Sequence, residues 1–296
     1  MKLVGLYTLL VIVGFTMMTL AWHQSRPSQN ELREPSATQS STTSTEAGSH
    51  VGSARVGGLA FHVYLGGLLL LLTGGSGLLI HLYKYGLKHL TIPLLHGPLE
   101  AMQRHGKLLI ASHVIYFGAV LVFMEIAYFF PDMQQIMQAA IRQEIGSGEG
   151  VLGLAGKAYL SKNIPLAAVV TVLLNFFLGS LAFITVPSVL LFGAGALLAL
   201  WRAVLWGFML APTSAGLAQA MLPHSWVLLL EGEAYILAAF FGLMVPLFLF
   251  ARKELSIWGR WRAALVLNMQ AAVLVFLVLL VAGIYEAVSV ILMMRH

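Results

Sequence analysis

IPLAAVVTVLLNFFLGSLAFITV, residues 164–186, holds 23 consecutive residues without a charged side chain, and no charge follows until Arg202. A hydrocarbon core about 30 Å thick takes about 20 mostly apolar residues to cross as a helix. A helix apolar on every side has no face to offer water, so this stretch reads as a membrane span. Six more stretches qualify on the same ground: Leu3 to Trp22, Val56 to Ile80, Leu108 to Phe130, Ser188 to Leu210, Trp226 to Phe250 and Leu265 to Val290. The pattern predicts an all-α integral membrane helical bundle with about seven transmembrane helices. Pro187-Ser188 is the one interruption between the fourth and fifth spans, and proline there predicts a tight hairpin or broken helix.

Composition supports this. Of the 296 residues 59% are hydrophobic and 10% charged, with a mean hydropathy of +0.86; soluble domains carry about 25% charge, so no sizeable water-facing domain is expected. The net charge of +5 comes from short basic clusters beside apolar runs, without a continuous basic face, which argues against nucleic acid as a partner. The absence of cysteine excludes disulfides, iron-sulfur clusters and thiol catalysis.

Residues 1–22 read as an N-terminal signal-anchor, uncleaved because the apolar run is long and Thr19-Leu20-Ala21 is a poor cleavage site. Residues 23–55 are rich in Ser, Thr, Gln, Glu and Pro and predict a disordered linker; residues 56–296 form the polytopic membrane domain. Between Pro131 and Asn163, the spacing of Met133, Ile136, Met137, Ala140 and Ile141 predicts an amphipathic helix on the outer surface. Lys2, Lys84, Lys88, Arg104, Lys107, Arg252, Lys253, Arg260 and Arg262 flank one side of the spans. Arg26, Arg33, Arg55, Arg142, Lys157, Lys162 and Arg295 flank the other, with acids among them. The positive-inside rule then predicts a multi-pass protein of the cell membrane with a cytoplasmic amino terminus and an extracytoplasmic carboxyl terminus.

Ionisable side chains inside spans are costly and are functional candidates by default. Five stand out: Glu125, Arg202, Glu231, Glu233 and Glu286. Glu125 and Glu286 lie near the outer ends of their spans and read as an intramembrane acidic cluster. Arg202 and Glu233 are each eight residues from an outer boundary, roughly 12 Å deep at the helical rise, so a direct Arg202 pair with Glu231 or Glu233 is expected. Those two glutamates are two apart and point to different sides of a helix, which leaves one for another task. His224 and Glu231, seven apart, share a face and could form an outward-opening proton or cation site. His81 and His113 share a level near the cytoplasmic side, where interfacial placement outweighs haem ligation. No metal site, cofactor site or catalytic residue is indicated, and no H-E-x-x-H, G-x-S-x-G or phosphate loop is present.

The stretch from Asn163 to about Phe250 resembles the stage II sporulation protein M family of multi-pass membrane proteins. The likeness is carried by Lys162-Asn163, Asn175-Phe176-Phe177-Leu178-Gly179, Pro187-Ser188, Arg202-Ala203, Trp206-Gly207, Leu222-Pro223-His224, Glu231-Gly232-Glu233-Ala234-Tyr235 and Leu237-Ala238. Ser225 replaces that family's glycine after proline-histidine, and Glu231 follows three residues beyond its usual spacing. The resemblance implies functional positions at Asn163, Pro187, Arg202, Pro223, His224, Glu231, Glu233 and Tyr235. It also implies a non-enzymatic scaffold or accessory subunit, with the bilayer and membrane or envelope proteins as partners. The alternative is a transporter or permease subunit with an outward-facing acidic cation or proton site. An intramembrane hydrolase using His224 and Glu231 would need a metal or nucleophile that the sequence does not supply.

Overall fold

In the computed structural model, residues 2–25, 55–87, 92–251 and 254–295 are described; nearly all of the predicted linker falls outside them. Eleven helices succeed one another along the chain among these residues. They are α1 (Lys2–Gln24), α2 (Gly58–His81), α3 (Pro93–Arg104), α4 (Gly106–Phe129), α5 (Pro131–Ser147), α6 (Gly150–Leu160), α7 (Ile164–Leu173), α8 (Val186–Leu190), α9 (Ala194–Leu210), α10 (Ala215–Ala251) and α11 (Ile257–Met293). Between α7 and α8 the helix does not stop but widens into π geometry over Leu174–Thr185. Six helical stretches are long and apolar enough to cross a membrane, and α9 is a shorter apolar seventh. The protein is an all-α membrane bundle.

The bundle is built around α10. Of its apolar window 67% is buried, more than in any other span, whereas α1 buries 11%. Tyr235, Phe240, Phe241 and Met244 are fully enclosed on it. Lipid tails are as apolar as leucine, so helices in a bilayer associate through close packing of small residues more than through expulsion of water. The α1–α2 seam shows the consequence: a Cβ on Gly14 would lie 2.4 Å from the Gly67 carbonyl oxygen, and one on Gly67 would lie 2.6 Å from the Gly14 oxygen. The two backbones touch.

Two expectations about the elements are corrected. The fourth and fifth spans do not part at Pro187, which occupies the first turn of α8, where a missing N–H costs little. The chain turns at Leu191–Gly193 instead, with Phe192 at φ 51° and Gly193 at φ 97°, a left-handed region that glycine enters without penalty. The sixth span begins not near Trp226 but at Ala215, and α10 runs through Pro223 and Pro246 for 37 residues, about 55 Å. Helix-forming residues before Pro223 carry it past the apolar boundary, and the Tyr285 hydroxyl donates to the Pro223 carbonyl at 3.2 Å. The amphipathic α5 forms, with Met133 and Ile136 exposed. Its glutamines make the attachment: Gln134 Nε2 donates to the Met209 and Ala211 carbonyls at 3.2 and 2.9 Å, and Gln138 Nε2 donates to Met209 at 3.0 Å. The Met209 carbonyl lies in the last turn of α9, where carbonyls lack intrahelical partners, and the Ala211 carbonyl also accepts from Thr213 N at 2.8 Å.

Candidate functional site

Asn175 opens the π stretch. Its Nδ2 donates to Glu231 Oε1 at 2.7 Å, and its Oδ1 accepts from the Tyr235 hydroxyl at 2.9 Å and from Arg202 Nη2 at 3.3 Å. Arg202 Nη2 also donates to the Tyr235 hydroxyl at 2.8 Å. The guanidinium carbon stands 4.2 Å from the centre of the Tyr235 ring and 5.1 Å from that of Trp206, within range of cation–π attraction. The expected direct ion pair between Arg202 and a glutamate is therefore absent among the described residues. Asn175 bridges the two charges, and two aromatic faces take the part assigned to a carboxylate. Arg202 Nε is buried with no hydrogen-bond partner.

Asn175, Arg202, Trp206 and Glu231 wall a cavity of about 510 Å³, within the range of small-molecule sites. Glu231 and His224 reach it from α10, Glu286 from α11, Arg202 and Trp206 from α9, Thr171 from α7, and Leu178 and Phe183 from the π stretch. Tyr159 closes it from α6, its hydroxyl 2.9 Å from Thr171 Oγ1. Burial pushes the Tyr159 hydroxyl up from its ordinary range, so it remains a neutral donor. The carboxyl groups of Glu231 and Glu286 lie within interaction range of each other. The charged lining is two carboxyls and one guanidinium, with one histidine beside them, so the formal balance leans negative.

Glu233 faces away from this cavity. Its Oε2 is 2.7 Å from His113 Nε2, with side chains 0% and 5% exposed, and His113 Nδ1 is 2.8 Å from the Leu109 carbonyl oxygen. The intramembrane acidic cluster divides as well. Glu125 pairs with His62 Nε2 at 3.0 Å across α2 and α4, while Glu286 joins Glu231, because α4 packs with α2 and α9 whereas α11 packs with α7 and α10. His81 lies against the Tyr85 ring at 4.8 Å, while His113 engages Glu233. Asn163 caps α7, its Oδ1 accepting from Leu166 N at 3.1 Å.

The charge pattern pointed to Arg202, Glu231 and Glu286. It did not point to Thr171 or Tyr159, whose neutral side chains in apolar surroundings carry little signal, nor to Trp206 beneath the guanidinium. The His113–Glu233 pair was missed because the two residues are 120 apart in sequence. No family model, curated protein or solved structure matches this chain.

Proposed function

We propose that this membrane protein binds a small cation, or the cationic end of a small polar solute, in the cavity between α6, α7, α9, α10 and α11. The observation that carries the reading is the pairing of Glu231 and Glu286 in one cavity whose single arginine, among the described residues, is already held by Asn175, Tyr235 and Trp206. A guanidinium engaged in this way offsets part of the acid charge and leaves the remainder for a ligand. The basic-flanked end of the bundle faces the cytoplasm, so the α5–α6 end and the cavity face outward. Such a site suits a transporter or a permease subunit.

The test is thermal unfolding of the purified protein in neutral detergent against sodium, potassium, calcium and methylammonium chlorides at constant ionic strength. A ligand at 100 times its Kd adds about 2.7 kcal/mol to stability. One probe cation raises Tm saturably, and the Glu231→Gln, Glu286→Gln double variant loses that response. A Tm indifferent to all four, or a response retained by the double variant, overturns the reading.

A second reading is an accessory subunit of an envelope complex, in keeping with the resemblance to the stage II sporulation protein M family. It is favoured by the exposed apolar row Phe130, Met133 and Ile136 at the start of α5. Retention of a protein partner that Ile136→Glu releases would support it.

A further inference from the structure

At the opposite end of the molecule lies a second cavity, of about 470 Å³, between α3, the end of α10 and the first turns of α11. Its rim carries Arg104, His105 and Arg262 together with the carboxylate Glu100, Gln270 lies deeper on α11, and Phe248, Val266 and Leu267 line its wall. We propose that it holds the phosphate of an anionic phospholipid headgroup.

Among the described residues, the three arginines near this rim differ in what is left for a ligand. Arg260 is spent on the chain itself, donating from Nε to Leu255 O at 2.7 Å and from Nη1 to Leu249 O at 2.9 Å. Arg104 gives one donor to Glu100 at 2.9 Å and keeps the rest. Arg262 makes no hydrogen bond or ion pair among the described residues. A planar guanidinium with a free fork matches phosphate oxygens two at a time.

Depth distinguishes a lipid phosphate from a dissolved one. Trp258 and Ile257, in the first turn of α11, are 75% and 68% exposed, and the Trp261 ring N–H donates to the Val189 carbonyl at 3.3 Å. Tryptophans at a span end mark the headgroup level, so the rim sits where lipid phosphates are. Val266 on the same wall is 46% exposed; a dissolved ion leaves that apolar surface bare, while an acyl chain continuing from the phosphate covers it. Basic pockets between membrane helices at the cytoplasmic leaflet are built to this plan.

The experiment uses the full chain in neutral detergent, titrated with phosphatidylglycerol, phosphatidylcholine or sodium phosphate, and read by native mass spectrometry and Tm. Phosphatidylglycerol stays bound and raises Tm; phosphatidylcholine and inorganic phosphate do not. Arg262→Gln weakens phosphatidylglycerol binding about tenfold, the size of one lost charge-assisted hydrogen bond, and Arg104→Gln weakens it in the same direction. Arg142→Gln, on α5 at the other end, leaves it unchanged. Equal binding of phosphatidylcholine overturns the proposal, as does an Arg142→Gln loss matching that of Arg262→Gln, which would mean diffuse attraction. An equal response to inorganic phosphate overturns the lipid source.

Discussion

Glu231 and Glu233 stand two residues apart on α10, about 3 Å along its axis, and their surroundings are opposite in kind. Glu233 is 0% exposed and bonds His113 in close packing, with the buried Tyr83 hydroxyl nearby; its other oxygen makes no hydrogen bond among the described residues. Glu231 is 3% exposed, yet it borders a cavity of about 510 Å³ and is held from the side by a neutral amide. A membrane helix can thus divide its polar load between faces. One face closes a pair and holds α4 against α10; the other keeps its carboxylate at the edge of open space, with Arg202 nearby but not bonded to it.

The largest effect should come from breaking the closed face. His113→Leu leaves Glu233 buried without its ion-pair partner, a loss of about 3 to 5 kcal/mol for a broken buried pair. Adding Glu233→Gln should recover much of it, as a double-mutant cycle in thermal unfolding will show. A His113→Leu protein as stable as the parent would erase the contrast between the two faces.

Arg202→Met comes next, at about 2 kcal/mol, since it removes two hydrogen bonds and two ring contacts. Its cycle with Asn175→Ala should show stronger coupling than its cycle with Glu231→Gln. Stronger coupling to Glu231 would restore the direct ion pair that residue spacing suggests.

The smallest effect belongs to Glu231→Gln, within about 1 kcal/mol, because the amide oxygen still accepts from Asn175. A cost as large as that of His113→Leu would place Glu231 in the same structural role as Glu233.

The spans were legible because hydrocarbon demands long uncharged runs, and the charged members of the cavity because a carboxylate in such a run is conspicuous. The link between them was not. Asn175 is one uncharged residue among phenylalanines and leucines, and its part in joining Arg202 to Glu231 depends on a π stretch that no hydrophobic period marks. Depth reckoned from apolar boundaries also misled. Arg202 and Glu233 seemed matched because the start of α10 was set at Trp226, whereas the helix begins at Ala215. Turn chemistry gave a further false lead: Pro187 reads as a stop, yet the reversal belongs to Phe192 and Gly193.

Each backbone bond of the π stretch closes over five residues where an α turn uses four, so Leu174–Thr185 carries more chain than an α-helix of equal height would need. It is a coil with slack. The amide that joins the acid to the base thus lies at the start of the most widely wound segment of the span.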